Sequence, residues 1–285
     1  MIRTNAMRLA LILCLGAPMA CAQTDDHATI IQLEDYVGGL VTADVTINGV
    51  TQPMIFDTGG GATLMTPEFA AEAGCTPWGR AVGFRMRGDQ VEAQVCGPMD
   101  LEIEGFATSD EVGVFDLGAL LPPDLPPVGG ILAMSAFEDR VITLDLGARA
   151  LIVESAESLA TRVGDAEGYP LRLQRELTGV GLTTFVPIPT EPGPLWFLVD
   201  SGHLGPIYLA PHSVAILEAN GLLLRDAEDS LTVDLTLGSE GYPDTAATEV
   251  DIIYDGVVSA ATLEQLVITF DFENHEYWVT QGALE

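Results

Sequence analysis

The sequence predicts an all-β chain built from two related halves. Three observations carry this: short strand-like runs punctuated by turn residues, few helical segments, and an internal repeat. The strand-like runs are rich in Val, Ile, Leu, Thr and Phe and are bounded by Gly, Pro, Asp and Asn. They include 40–50 (LVTADVTINGV), 141–146 (VITLDL), 183–189 (TTFVPIP), 231–237 (LTVDLTL) and 267–272 (VITFDF). Within the first, Asn48-Gly49 supplies a two-residue hairpin turn, because both residues tolerate positive φ. Helices are expected at 67–74 (PEFAAEAG) and 211–221 (PHSVAILEANG), each opening at proline and closing at glycine. A weaker helical pattern lies at 154–162 (ESAESLATR).

The repeat has two parts in the same order. The segment 53–74, PMIFDTGGGATLMTPEFAAEAG, matches 195–221, LWFLVDSGHLGPIYLAPHSVAILEANG. Each runs from an apolar strand through Asp-Thr/Ser-Gly, a second apolar stretch and a proline into a short helix. Downstream, GILAMSAFEDRVITLDLGARALIV (130–153) lies over GVVSAATLEQLVITFDFENHEYWV (256–279) without a gap. That alignment sets Gly130 on Gly256, Thr143 on Thr269 and Asp145 on Asp271. Two matches in one order indicate duplication. The expected organisation is a leader at 1–22, one lobe at 23–160 and a second at 161–285, the lobes meeting near 155–180.

Composition bounds the function. Of 285 residues, 48% are hydrophobic, ample for a packed core. Acids number 42 against 11 arginines and no lysine, for a net charge of −31. Such a chain is a poor partner for nucleic acid or an anionic membrane. The acidity suits cationic substrates or, more plainly, solubility in salty surroundings where carboxylate repulsion is screened. Arg3 and Arg8 precede the apolar run 9–17, and Ala20-Cys21-Ala22 follows, which reads as a secretory signal cut after Ala22. A lipoprotein signal ending before Cys21 is the other reading, with Pro18 against it. Export to the periplasm or the medium is expected, with no membrane insertion once the signal is gone. Cys75 and Cys96 then remain, and an even pair in an oxidising compartment reads as a disulfide, the other reading being two buried thiols.

With IFDTG (55–59) and LVDSG (198–202), followed by ILA (131–133) and VVS (257–259), the chain resembles the pepsin/retropepsin-like aspartic proteases, particularly bacterial exported members. The resemblance covers nearly all of the chain after the leader. It implies a two-lobed β-barrel fold with short helices and pseudo-two-fold symmetry, each lobe giving one aspartate to a shared cleft. Asp57 and Asp200 would form the dyad. Thr58 and Ser201 would brace the opposite lobe's loop, and the backbone amides of Gly59 and Gly202 would donate to the carboxylates. Two carboxylates held together cannot both ionise, so they share one proton. One then serves as base toward water while the other polarises the scissile carbonyl, with no cofactor or metal required. A peptide or protein is the implied substrate, and a two-lobed chain completes its dyad as a monomer. Taken singly, an Asp-Thr-Gly reads first as a β-turn, where Asp and Gly are favoured anyway.

Several positions depart from the family pattern. A small residue such as Ala or Ser usually follows the motif; here Gly60 and Gly61 follow one copy and His203 the other. The downstream element normally ends in glycine, where Ala133 and Ser259 stand unless the pairing shifts. These changes leave a second function open, a binding or scaffold protein of the envelope with weak or no catalysis. His203 reads as a solvated loop histidine or, less plainly, as a titrating group in the cleft. His212 and His275 read as surface residues. No Gly-x-Ser-x-Gly elbow, zinc spacing or phosphate loop occurs. Between Cys75 and Cys96, Arg87-Gly88-Asp89-Gln90 makes a turn between strand-like runs, which by the resemblance is a flap over the cleft. A bridge at its base would stabilise by about 3 kcal/mol. Its arginines, Arg80, Arg85 and Arg87, read as solvated charges or as groups that meet acidic substrate side chains.

Overall fold

A computed structural model describes residues 27–119 and 124–281. The proposed leader, with Cys14 and Cys21, lies outside the described residues. The chain forms two eight-stranded sheets and one six-stranded sheet. The first eight-stranded sheet runs, edge to edge, Glu34–Asp35, Val41–Ile47, Val50–Asp57, Gly130–Ala133, Leu64–Met65, Phe106–Val114, Gln90–Ile103 and Trp78–Phe84. The second runs Arg172–Gln174, Thr183–Ile188, Leu195–Asp200, Gly256–Ser259, Ile207–Leu209, Glu240–Glu249, Leu231–Leu237 and Leu223–Arg225. Strand for strand the two orders correspond. In each, the aspartate-bearing strand lies parallel to the downstream element, which lies antiparallel to the short strand after the Asp-Thr/Ser-Gly turn. The duplication read from the sequence is therefore a duplication of topology.

The six-stranded sheet joins the halves. Val141–Asp145 pairs antiparallel with Leu266–Asp271, and Thr143 faces its own repeat partner Thr269. Their hydroxyls hydrogen-bond at 2.8 Å, so the pseudo-two-fold axis passes between them. Antiparallel pairing of an element with its repeat is the self-complementary contact that two-fold symmetry requires.

Local sequence explains the elements. Asn48 and Gly49 have φ of 50° and 81°, the geometry of a type I′ hairpin. Buried and exposed residues alternate along Leu231–Leu237, as a sheet with one wet face demands. The helix Pro67–Glu72 starts at proline, and the Thr66 hydroxyl accepts from the Phe69 amide. The weak helical pattern becomes Ala156–Val163, closed by a capping box between Ser155 and Ser158. Pro211–Ala219 is the third expected helix. Phe56, Phe137 and Phe197, fully buried, anchor one continuous core beneath both aspartate strands.

Candidate active site

Asp57 and Asp200 each end a strand, and the three apolar residues before each acid are buried. The strands carry the two acids to the junction of the halves, where each carboxylate lies against the glycine of the opposite motif and both line one cleft. Cross-braces hold them. The Thr58 hydroxyl donates to the Val199 carbonyl at 2.8 Å and accepts from the Ser201 amide at 2.9 Å. In mirror fashion the Ser201 hydroxyl donates to the Phe56 carbonyl at 3.3 Å and accepts from the Thr58 amide at 3.0 Å. Both hydroxyls are buried with every bond directed across the junction.

The glycines make the approach possible. A Cβ on Gly59 would lie 2.4 Å from Asp200 Cγ, and one on Gly202 would lie 2.6 Å from Asp57 Oδ2. Each glycine amide instead donates to its own lobe's aspartate, Gly59 to Asp57 and Gly202 to Asp200, both at 2.9 Å. Burial raises both carboxyl groups above the ordinary range. Asp200 is pushed furthest, by burial and then by the negative charge of Asp57. Two carboxyl groups so close titrate as a pair, and the arrangement favours one shared proton.

The departures from the family pattern acquire physical reasons. Asp57 pairs with Ala133 and Asp200 with Ser259, with no shift of register. Both small residues are buried opposite the acids. The close approach falls instead at the start of each element: a Cβ on Gly130 would sit 1.9 Å from the Leu64 carbonyl oxygen. At Gly60 a Cβ would press on Ile131 at 2.9 Å and on Asp57 Oδ2 at 3.2 Å, so even alanine is crowded there.

His203 corrects the expectation of a solvated loop histidine. It is buried and lines the cleft, with its ring centroid 4.0 Å from that of Tyr208. Its Nε2 lies 2.7 Å from the Pro206 carbonyl, which only accepts, so Nε2 carries the hydrogen. Burial pushes its pKa down, which favours the neutral ring. His212 and His275 are exposed, as expected; His212 meets Asp255 at 2.9 Å.

The flap is present. Trp78–Phe84 and Gln90–Ile103 form a hairpin, closed by the turn in which Arg85 N donates to Asp89 O. The Cys75–Cys96 disulfide ties its base to the end of the first helix, with Cα atoms 5.8 Å apart. Its far side is fastened to the other lobe. Met86 O accepts from Ile253 N at 2.9 Å, and Ala81 packs with Ala62 against Leu177. Sequence reading missed Leu177, Ile253 and Tyr254, because no motif marks them and their role depends on a fold that brings residues 80–90 to residues 176–254.

Beneath the flap lies a cleft of about 520 Å³ with Asp57 and Asp200 on its floor. Phe84, Met86, Ile131, Tyr208 and Tyr254 give it largely apolar walls. Among the described residues no three His, Cys, Asp or Glu side chains are grouped as metal ligands would be. The arrangement offers a general base and a general acid side by side in an apolar trough.

Residues 43–136 match a family model described as aspartyl protease. That span contains Asp57 and the downstream element of the first half. No curated protein matches the chain. Among solved structures, the crystal structure of basic 7S globulin from soybean aligns with a TM-score of 0.56 at 8% identity, covering 90% of this chain and 95% of that one. At that identity the likeness is one of fold, and it extends over both halves.

Proposed function

We propose that this member of the pepsin/retropepsin-like family is an aspartic endopeptidase, with Asp57 and Asp200 as its catalytic pair. The observation that carries the reading is the placement of two carboxylates, one from each half and cross-braced by Thr58 and Ser201, together in a cleft roofed by a hairpin. A water between them gives its proton to Asp57 as its oxygen attacks the peptide carbonyl carbon. Asp200 simultaneously gives its proton to the carbonyl oxygen, forming a neutral gem-diol. Collapse breaks the C–N bond: Asp57 passes its proton to the leaving nitrogen, and a gem-diol hydroxyl returns one to Asp200. Both acids end as they began, and no covalent intermediate forms. The Gly59 and Gly202 amides fix the carboxylates by hydrogen bonds without neutralising them.

The leader-like start and the disulfide support export to the periplasm or the medium. The chain acts there as a monomer on peptide or protein substrates, since both halves of the dyad come from one chain. The second reading, a protease-like binding or scaffold protein, is favoured by one observation: the flap is already fastened across the cleft by Met86 and Ile253. Exposure of a mixed peptide library to the wild type and to Asp57→Asn, read by mass spectrometry, separates the two. The endopeptidase reading expects internal cleavages that vanish in the variant. Cleavage that survives Asp57→Asn overturns it.

A further inference from the structure

Among the described residues, most of the arginines pair with the chain's own carboxylates. Nine of the 11 arginines lie in the described residues. Six of them, Arg80, Arg140, Arg149, Arg162, Arg175 and Arg225, form ion pairs with Asp or Glu. Arg172 lies flat on Trp196, its guanidinium carbon 3.8 Å from the ring centre. Arg85 and Arg87 have no ion-pair partner among the described residues, and both line the cleft. In a chain with 42 acids, two guanidiniums without an ion pair on one turn at the cleft are an exception that packing does not require.

Their placement is fixed by the turn. Arg85 N donates to Asp89 O and Gly88 N to Arg85 O, which closes the loop. Met86, between the two arginines, packs in the apolar cluster of the far lobe with Phe185, Leu198 and Ile252, and its carbonyl is held by Ile253 N. The acids that also line the cleft differ in their engagement. Glu92 pairs with Arg80, and Glu176 accepts from Tyr254 and Gln174. Asp89 is exposed on the same turn. A guanidinium is a planar, permanently charged fork that matches a carboxylate with two parallel hydrogen bonds. Its pull acts within a screening length of about 8 Å, so it operates locally despite the chain's overall negative charge.

We propose that Arg85 and Arg87 are specificity-determining residues that bind a carboxylate of the peptide lying in the cleft, so that the preferred substrates are acidic. The cleavage part of this proposal rests on the endopeptidase reading; the binding part does not. The carboxylate comes either from an Asp or Glu side chain or from a free C-terminus. The test compares wild type with Arg85→Gln, Arg87→Gln and the double charge reversal Arg85→Glu/Arg87→Glu. Each receives three matched peptides: one with an internal Glu and blocked ends, one neutral with blocked ends, and one neutral with a free C-terminus. Cleavage is followed as kcat/KM and binding to an Asp57→Asn background by calorimetry. The ratio of acidic to neutral blocked peptide is expected to fall about tenfold per lost guanidinium. Charge reversal is expected to invert it in favour of a Lys-containing analogue. If the free C-terminus is the source, the same fall appears with the third peptide instead. A ratio that is unchanged in all variants, with turnover intact, overturns the arginine proposal while leaving the protease. Absent turnover with binding ratios that fall as expected leaves the carboxylate site and overturns the protease. Absence of both turnover and acidic-peptide binding overturns both.

Discussion

At the scale of single residues, the site depends on two atoms that are missing. Gly59 and Gly202 lack the Cβ that would strike the opposite carboxylate, so alanine at either position must separate the pair. Gly59→Ala is expected to lower kcat/KM by at least about 100-fold, the scale of an ångström's misplacement at reacting atoms, as checked by steady-state assay. The acids also burden the fold. The native pKa of Asp200 lies well above its ordinary value, so as pH rises past about 4 the unfolded chain loses a proton that the native chain retains. Stability therefore falls with rising pH through that window, and the deficit persists above it. Asp200→Asn removes the buried ionisable group. Thermal unfolding is expected to give a higher Tm for the variant than for wild type at pH 7, and little difference near pH 3. Asp57 and Asp200 were legible in the sequence because strand, turn and helix signals repeat around both. His203 was not, since its burial depends on Tyr208 and Pro206 folding over it.

At the scale of elements, the hairpin over the cleft is held at its base by a covalent bond and at its tip by the other lobe. Its turn was legible from Arg87-Gly88-Asp89-Gln90 between strand-like runs, and its base from the pair of cysteines. Its fastening by Leu177 and Ile253 was not, because contacts between residues so far apart leave no local pattern. The same holds for the register of Ala133 and Ser259 against the aspartates, which strand pairing alone sets. The Cys75–Cys96 bridge spans 21 residues. Closing a loop of that size in the unfolded chain predicts a loss of about 3 kcal/mol for Cys75→Ala/Cys96→Ala, measured by denaturant unfolding. The helix Pro67–Glu72, to which the bridge ties the hairpin, keeps its Thr66 cap and should persist in the variant.

At the scale of the whole molecule, neither half contains a site. Each supplies one acid, one hydroxyl brace and one glycine, and the six-stranded sheet with Thr143 against Thr269 brings the copies together. Duplication was legible because both Asp-Thr/Ser-Gly segments kept their flanks. The matched order of eight strands in each half was beyond reach, since period-two patterning identifies strands but not their neighbours. The central claim is that the assembled pair shares one proton and uses it to hydrolyse peptide bonds. Its most direct test is the dependence of kcat/KM on pH, from about pH 3 to about pH 8, for wild type, Asp57→Asn and Asp200→Asn. Wild type is expected to give a bell. Its acid limb should lie above the ordinary aspartate value and its alkaline limb should be displaced toward neutrality, because burial raises both groups. Both variants should sit at background throughout. A flat wild-type profile, or either variant retaining wild-type turnover, would contradict it.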